Sequence, residues 1–263
     1  VFSACFLLIF MIQGAPPCAG EEVIMEEAQA PAIDPKADTI LREMSDFLAE
    51  QPTFRFEGDN SIDVILDNGQ KLQFQIHSEG AVRRPNGLKA ARKGAVIDQE
   101  FFYDGAKLTL YRKALGFYAS VDAPATIDET LDYAIDELGL VAPAADLLYS
   151  NPYEVLMNDA ESGHYISETL VRGVKCHHLA FRTSRLDWQI WVENSPTPVP
   201  RKFIITAKMT EGAPQFTAEY PTWDFSPKLK DEEFTFVPPK DSYQIGFAPR
   251  RQAFSPETEG GNP

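Results

Sequence analysis

The chain is 263 residues long and 44% hydrophobic, with 20 prolines and 16 glycines. That length supports a full core within one large domain, and so many turn formers suit strands joined by short connections better than a helical bundle. A formal net charge of −15 gives a surface that repels phosphate backbones, which argues against nucleic acid as a partner and agrees with simple solubility.

The first segment is apolar. Phe6 to Ile12 form a continuous run, extended backward by Val1, Phe2 and Ala4. At about 12 residues it falls short of the roughly 20 needed to cross a bilayer, so no stable membrane span is expected. Gly14, Pro16 and Pro17 end the run, and the small residues Cys18, Ala19 and Gly20 suit cleavage before Glu21. Without an initiator methionine or a basic stretch ahead of it, the segment 1–20 reads as an N-terminally incomplete signal peptide. One rival is a lipoprotein acylated at Cys18, although prolines at the two preceding positions make a poor lipobox; another is an uncleaved anchor. With Cys5 and Cys18 in this leader, Cys176 is the single thiol of the body, and no intramolecular disulfide can form there.

Residues 21–33 read as an acidic, alanine-rich linker, and 34–248 as one domain. Asp34 is placed to cap a helix running to about Glu50, with Pro35 at its first position and Ile40, Leu41, Met44, Phe47 and Leu48 on one face. From Thr53 the period changes to two. Ile62, Val64 and Leu66 alternate with polar neighbours, as do Leu72, Phe74 and Ile76. A three-residue loop Asp67-Asn68-Gly69, with Gly69 left-handed, pairs Val64 with Leu72 and Ile62 with Phe74 and keeps the apolar faces together. In Phe101 to Leu108, a two-residue Asp104-Gly105 turn of type I′ sets Phe101 opposite Leu108. Further strands are expected at 116–122, 164–171, 174–182, 186–193, 201–209, 214–220 and 233–237, with Arg172-Gly173 as a turn. Thr126 and Glu129 form a capping box for a helix bearing Ile127, Leu131, Ile135 and Leu138, and Asn151-Pro152 open a short helix to about Asn158. The tail 249–263 has the composition of a disordered segment. The expected fold class is α+β, a long curved antiparallel sheet with helices on one face.

Candidate sites are few. Cys176-His177-His178 offers metal-ligating atoms, but alternate residues of a strand face opposite sides, and a buried thiol beside a hydrogen-bonded His178 accounts for the run better. No nucleophile elbow, phosphate loop or zinc motif is present, so no catalytic residue, metal or cofactor is assigned. Trp188 and Trp191 fall on opposite faces of one strand. The basic stretch Arg83, Arg84, Lys89, Arg92 and Lys93 offers a dock for an acidic partner or lipid headgroup, against the commoner reading in which it pairs with the protein's own carboxylates or forms a solvated hairpin face. The apolar stripes Ile62, Val64, Leu72, Phe74, Leu108, Leu110, Trp188 and Ile190, facing the amphipathic helices, are the candidate lining of a ligand cavity.

The run Gly173-Val174-Lys175-Cys176-His177-His178-Leu179-Ala180-Phe181, with Asp187-Trp188-Gln189-Ile190-Trp191-Val192 and Pro200-Arg201-Lys202-Phe203-Ile204-Ile205-Thr206, resembles the DUF2092 family of predicted periplasmic proteins. Arg84-Pro85-Asn86 and Tyr103-Asp104-Gly105-Ala106-Lys107-Leu108 are similar to a looser pattern of the LolA-like fold. The resemblance implies an open half-barrel sheet with helices covering its concave face, and a periplasmic address. Relatives of that fold bind acyl chains or sense envelope stress. The expected function is therefore a non-enzymatic envelope protein holding a lipid or acyl-chain ligand between sheet and helices. The alternatives are an interaction or stress-sensor module with a self-filled core, engaging an envelope protein partner, and an unrecognised hydrolase acting through Cys176 or an acidic pair.

Overall fold

A computed structural model describes residues 32–247. The leader and its cleavage site, most of the acidic linker and the tail 249–263 lie outside the described residues. Helix α1 (Pro35–Ala49) is followed by six strands, β1 (Thr53–Ile65), β2 (Lys71–Arg83), β3 (Gly87–Gly94), β4 (Asp98–Tyr103), β5 (Lys107–Arg112) and β6 (Phe117–Asp122). Helices α2 (Ile127–Asp136) and α3 (Pro152–Met157) come next, separated by a 3₁₀ turn at Ala145–Leu148. Five more strands complete the body, β7 (Ser162–Val171), β8 (Val174–Arg182), β9 (Asp187–Glu193), β10 (Pro200–Thr206) and β11 (Gln215–Asp224), before the short β12 (Tyr243–Ile245).

All twelve strands form one open sheet in the order β12-β6-β5-β4-β3-β2-β1-β11-β10-β9-β8-β7. It is two meanders joined where β1 pairs antiparallel with β11, and every pairing is antiparallel except that of β12 with β6. The sheet is unclosed and carries the helices on its concave face, as the sequence implied.

Each meander has its own core. Ile40, Leu41, Met44 and Leu48 of α1 pack on Leu179, Ile190, Val192 and Phe203 of the C-terminal half. Ile127, Leu131 and Ala134 of α2, with Leu148 and Tyr149, pack on Phe54, Val82, Leu88, Tyr103 and Leu108 of the N-terminal half. Phe56, Trp223 and Phe225 contact both cores, and the Trp223 and Phe225 rings stack at 5.9 Å. Trp223 Nε1 donates to the Pro200 carbonyl at 3.1 Å, so the half-buried ring has its one donor satisfied.

Local chemistry accounts for the termini of these elements. Asp34 Oδ1 accepts the Lys36 N–H at 2.8 Å and caps α1, while its other oxygen accepts the Tyr165 N–H from β7 at 3.3 Å. The last linker residues are pinned to the sheet. Ile33 bridges Gly163, and the Asp34 N–H donates to the Gly163 carbonyl at 2.8 Å. Val64 faces Leu72 and Ile62 faces Phe74, with Gly69 at φ +81° in the three-residue loop. Arg172 and Gly173, both at positive φ, turn β7 into β8.

Three expectations are corrected. The β4–β5 hairpin pairs Tyr103 with Leu108 and Phe101 with Leu110, two positions from the expected register. Asp104 Oδ1 accepts the backbone N–H groups of Ala106 at 3.1 Å and Lys107 at 2.9 Å, moving the turn one residue on. Only Gly105 has positive φ there, whereas type I′ needs two such residues. The expected strand 233–237 is instead a strap across the sheet face opposite the helices. Its Phe234 lies under the Arg83 guanidinium at 4.7 Å, and its Phe236 sits among Phe102, Tyr111 and Tyr118 at 5.0 to 5.3 Å. The strand expected at 201–209 ends at Thr206, where the Lys208 amine turns to the Thr183 carbonyl and to Asp187.

Candidate functional site

Helix α2 and the segment behind it, residues 140–148, lie over the N-terminal meander and enclose a cavity of about 120 Å³. Leu88, Phe101, Tyr103 and Leu108 form its floor, Leu131, Ala134, Leu140 and Leu148 its roof, and Phe56, Phe216 and Tyr220 its flank toward the other half. The roof is held as a unit. Thr126 Oγ1 accepts the Glu129 N–H at 3.2 Å at the start of α2. The Tyr149 hydroxyl donates to Asp132 at 2.8 Å, and the Ser150 N–H to Asp128 at 3.0 Å. Gly80 lets the flank approach, since a Cβ there would meet the Phe56 ring at 2.1 Å.

Few polar groups reach this space. Tyr103 donates its hydroxyl to the Pro124 carbonyl at 2.6 Å and Thr130 to the same oxygen at 3.3 Å, so both are spent at the roof. Arg92 Nη1 donates to the Val141 carbonyl at 3.4 Å, and burial lowers the pKa of its guanidinium. Asn60 Nδ2 donates to Ser78 Oγ at 2.8 Å. An apolar chamber with a few placed polar groups is the usual make-up of a small-molecule site.

Strand register puts all eight residues of the expected lining on the helix-bearing face. Leu108 and Leu110 pair with Tyr103 and Phe101, Trp188 and Ile190 with Ile205 and Phe203, and Ile62 and Val64 with Phe74 and Leu72. Of the eight, Leu108 lines the cavity. Trp188 and Ile190 are buried in the core under α1. Ile62, Val64, Leu72 and Phe74 sit half-buried at the distal end of the first hairpin. The cause is length. Thirteen-residue arms extend about 43 Å, whereas the ten residues of α2 cover about 15 Å. Sequence reading missed Asn60, a single polar residue within an apolar stripe, and the roof segment, where Leu140 and Ala142-Pro143-Ala144-Ala145 line the cavity while Val141 is exposed.

The thiol and imidazoles sit elsewhere. Cys176 is fully buried, its Sγ 3.5 Å from the Val174 carbonyl, and burial pushes its pKa up to about 11. His177 faces the other side, 3.4 Å from the Tyr165 hydroxyl. His178 Nε2 is 3.0 Å from Gln189 Oε1, and the ring stacks on Trp191 at 4.1 Å. Burial lowers the His178 pKa despite that hydrogen bond. Among the described residues no group of three or more His, Cys, Asp or Glu side chains could hold a metal ion. The basic stretch is largely turned on the protein itself. Arg83 pairs with Asp231, Arg84 donates to the Leu148 carbonyl at 2.8 Å, and Lys89 lies over the Phe102 ring at 5.2 Å.

A single open antiparallel sheet with helices over its concave face, enclosing a small apolar chamber, defines the class. The chain belongs to the DUF2092 family, described as predicted periplasmic proteins, whose model matches residues 37–248. That description agrees with the export expected from the leader. No curated protein matches the sequence. Among solved structures, the chain is similar to an uncharacterized conserved protein from Thermus thermophilus, with 9% identity, a TM-score of 0.46 and coverage of 80% of this chain and 99% of that one. It is similar to lipoprotein LppX of Mycobacterium tuberculosis, with 10% identity, a TM-score of 0.46 and coverage of 75% and 100%. A LolA superfamily protein from Nitrosomonas europaea is 13% identical, with a TM-score of 0.37 and coverage of 76% and 97%. No described helix is long and apolar enough to cross a membrane.

Proposed function

We propose that the protein is a non-enzymatic periplasmic binding protein that holds the apolar part of a lipid-type ligand between α2 and the N-terminal meander. The observation that carries this reading is the chamber itself, apolar on floor and roof and placed between a sheet and a helical cover. Each buried methylene would contribute about 0.8 kcal/mol. The volume sets the scale, because an apolar cavity of about 150 Å³ takes a molecule the size of benzene. The space of about 120 Å³ therefore holds a short chain segment, and a longer acyl chain requires α2 and residues 140–148 to lift together. The same small volume favours a second reading, an interaction module whose core is filled by its own side chains. Native mass spectrometry of protein gently purified from its own envelope separates the two. A mass increment of a lipid, lost on denaturation, is expected; a clean apo mass overturns the first reading in favour of the second.

A further inference from the structure

The 3₁₀ turn Ala145–Leu148 divides two spaces. Ala145 and Leu148 face the chamber, whereas Asp146 lines an open cleft of about 360 Å³ between α3, the β8–β9 turn and strands β9 and β10. That volume falls in the range of about 300–1,000 Å³ usual for small-molecule sites. Leu156, Trp188 and Phe203, otherwise buried, give the cleft an apolar lining. Asp146 is a half-buried carboxylate in its wall. Among the described residues its one donor is its own backbone N–H, and no cation pairs with it. Burial without a counter-charge raises its pKa. Other acids of the C-terminal half are matched: Asp187 pairs with Arg182 and Lys208, Glu193 with Arg201, and Glu219 with Arg172 and Lys202. Arg185, the one basic side chain of the cleft lining, is exposed and makes no ion pair with Asp146. A partly desolvated, unpaired carboxylate beside an apolar surface suits an ammonium group joined to an apolar body, which would offset the charge and cover the surface together.

We propose that this cleft binds a small organic ammonium ion, with its nitrogen against the Asp146 carboxylate and its apolar body on Leu156, Trp188 and Phe203. The site is separate from the chamber under α2 and does not depend on what that chamber holds. The test is NMR titration of the ¹⁵N-labelled protein with benzylamine, benzyl alcohol and benzoate, which share a ring and differ in charge. Physiological salt screens the general pull of the negative surface on a cation. Benzylamine is expected to move the amides of Thr183 to Leu186 and Val155 to Asp159, and to bind about tenfold more tightly than benzyl alcohol, the worth of one charged hydrogen bond. Benzoate is expected to bind weakest. Asp146→Asn should erase the preference for the amine, whereas Asp159→Asn, at an exposed carboxylate of the same lining, should keep it. Arg185→Gln removes a competing cation and should tighten benzylamine severalfold without changing benzyl alcohol; it decides the matter if Asp146→Asn fails to fold. The proposal is overturned if benzylamine binds no better than benzyl alcohol, if its shifts fall outside the cleft, or if its preference survives Asp146→Asn.

Discussion

Cys176 shows how burial decides the chemistry of one residue. Its thiol lies buried in the sheet, and burial, with the Glu193 charge nearby, lifts its pKa to about 11, above the ordinary 9.0. The native state therefore favours the neutral thiol. Because the folded value is the higher one, the stability this contributes is complete below pH 9 and is lost as pH rises from 9 to 11. At pH 8 the thiol should resist an aromatic disulfide reagent in native protein and react fully in guanidinium; rapid labelling of native protein would refute this. His178 runs the opposite way. Its lowered pKa means that the neutral ring is favoured, and its contribution falls away as pH drops below 6.5.

At the scale of elements, the roof of the cavity depends on its first hydrogen bond. Replacing Thr126 by alanine removes the acceptor for the Glu129 N–H and should cost about 1 kcal/mol, the usual worth of such a cap. It should also speed amide exchange along α2 while leaving α1 unchanged, and hydrogen exchange read helix by helix checks both. The helices and most hairpins were legible because caps and apolar periods are local signals. The β4–β5 slip is instructive, since a shift of two keeps every side chain on its face and no stripe can detect it. Strand β3 was invisible in Leu88-Lys89-Ala90-Ala91-Arg92-Lys93, where small and basic residues blur any alternation. Phe234-Thr235-Phe236 alternates like a strand, yet Pro238 and Pro239 follow it and the segment packs across the sheet by its rings. The face that carries the helices was legible from the stripes. The cavity was not, because which part of a long stripe a helix covers depends on tertiary placement.

On the scale of the whole molecule, charge and topology matter more than any one contact. A net charge of −15 predicts that the protein stays in the supernatant when sedimented with anionic vesicles at low salt. Pelleting that added salt reverses would contradict this. The seam between β1 and β11 has a consequence of another kind. Helix α1 is the first described element in the chain, yet the surface that hides Leu41, Met44 and Leu48 belongs to α3 and to strands of the C-terminal half. As the polypeptide emerges, that helix stays bare until its partners have followed, which at 5–20 residues per second is roughly ten seconds. The N-terminal meander can meanwhile fold by neighbour-to-neighbour pairing. A chain cut short before α3 would thus hold a formed half-sheet trailing an uncovered greasy helix, prone to clump.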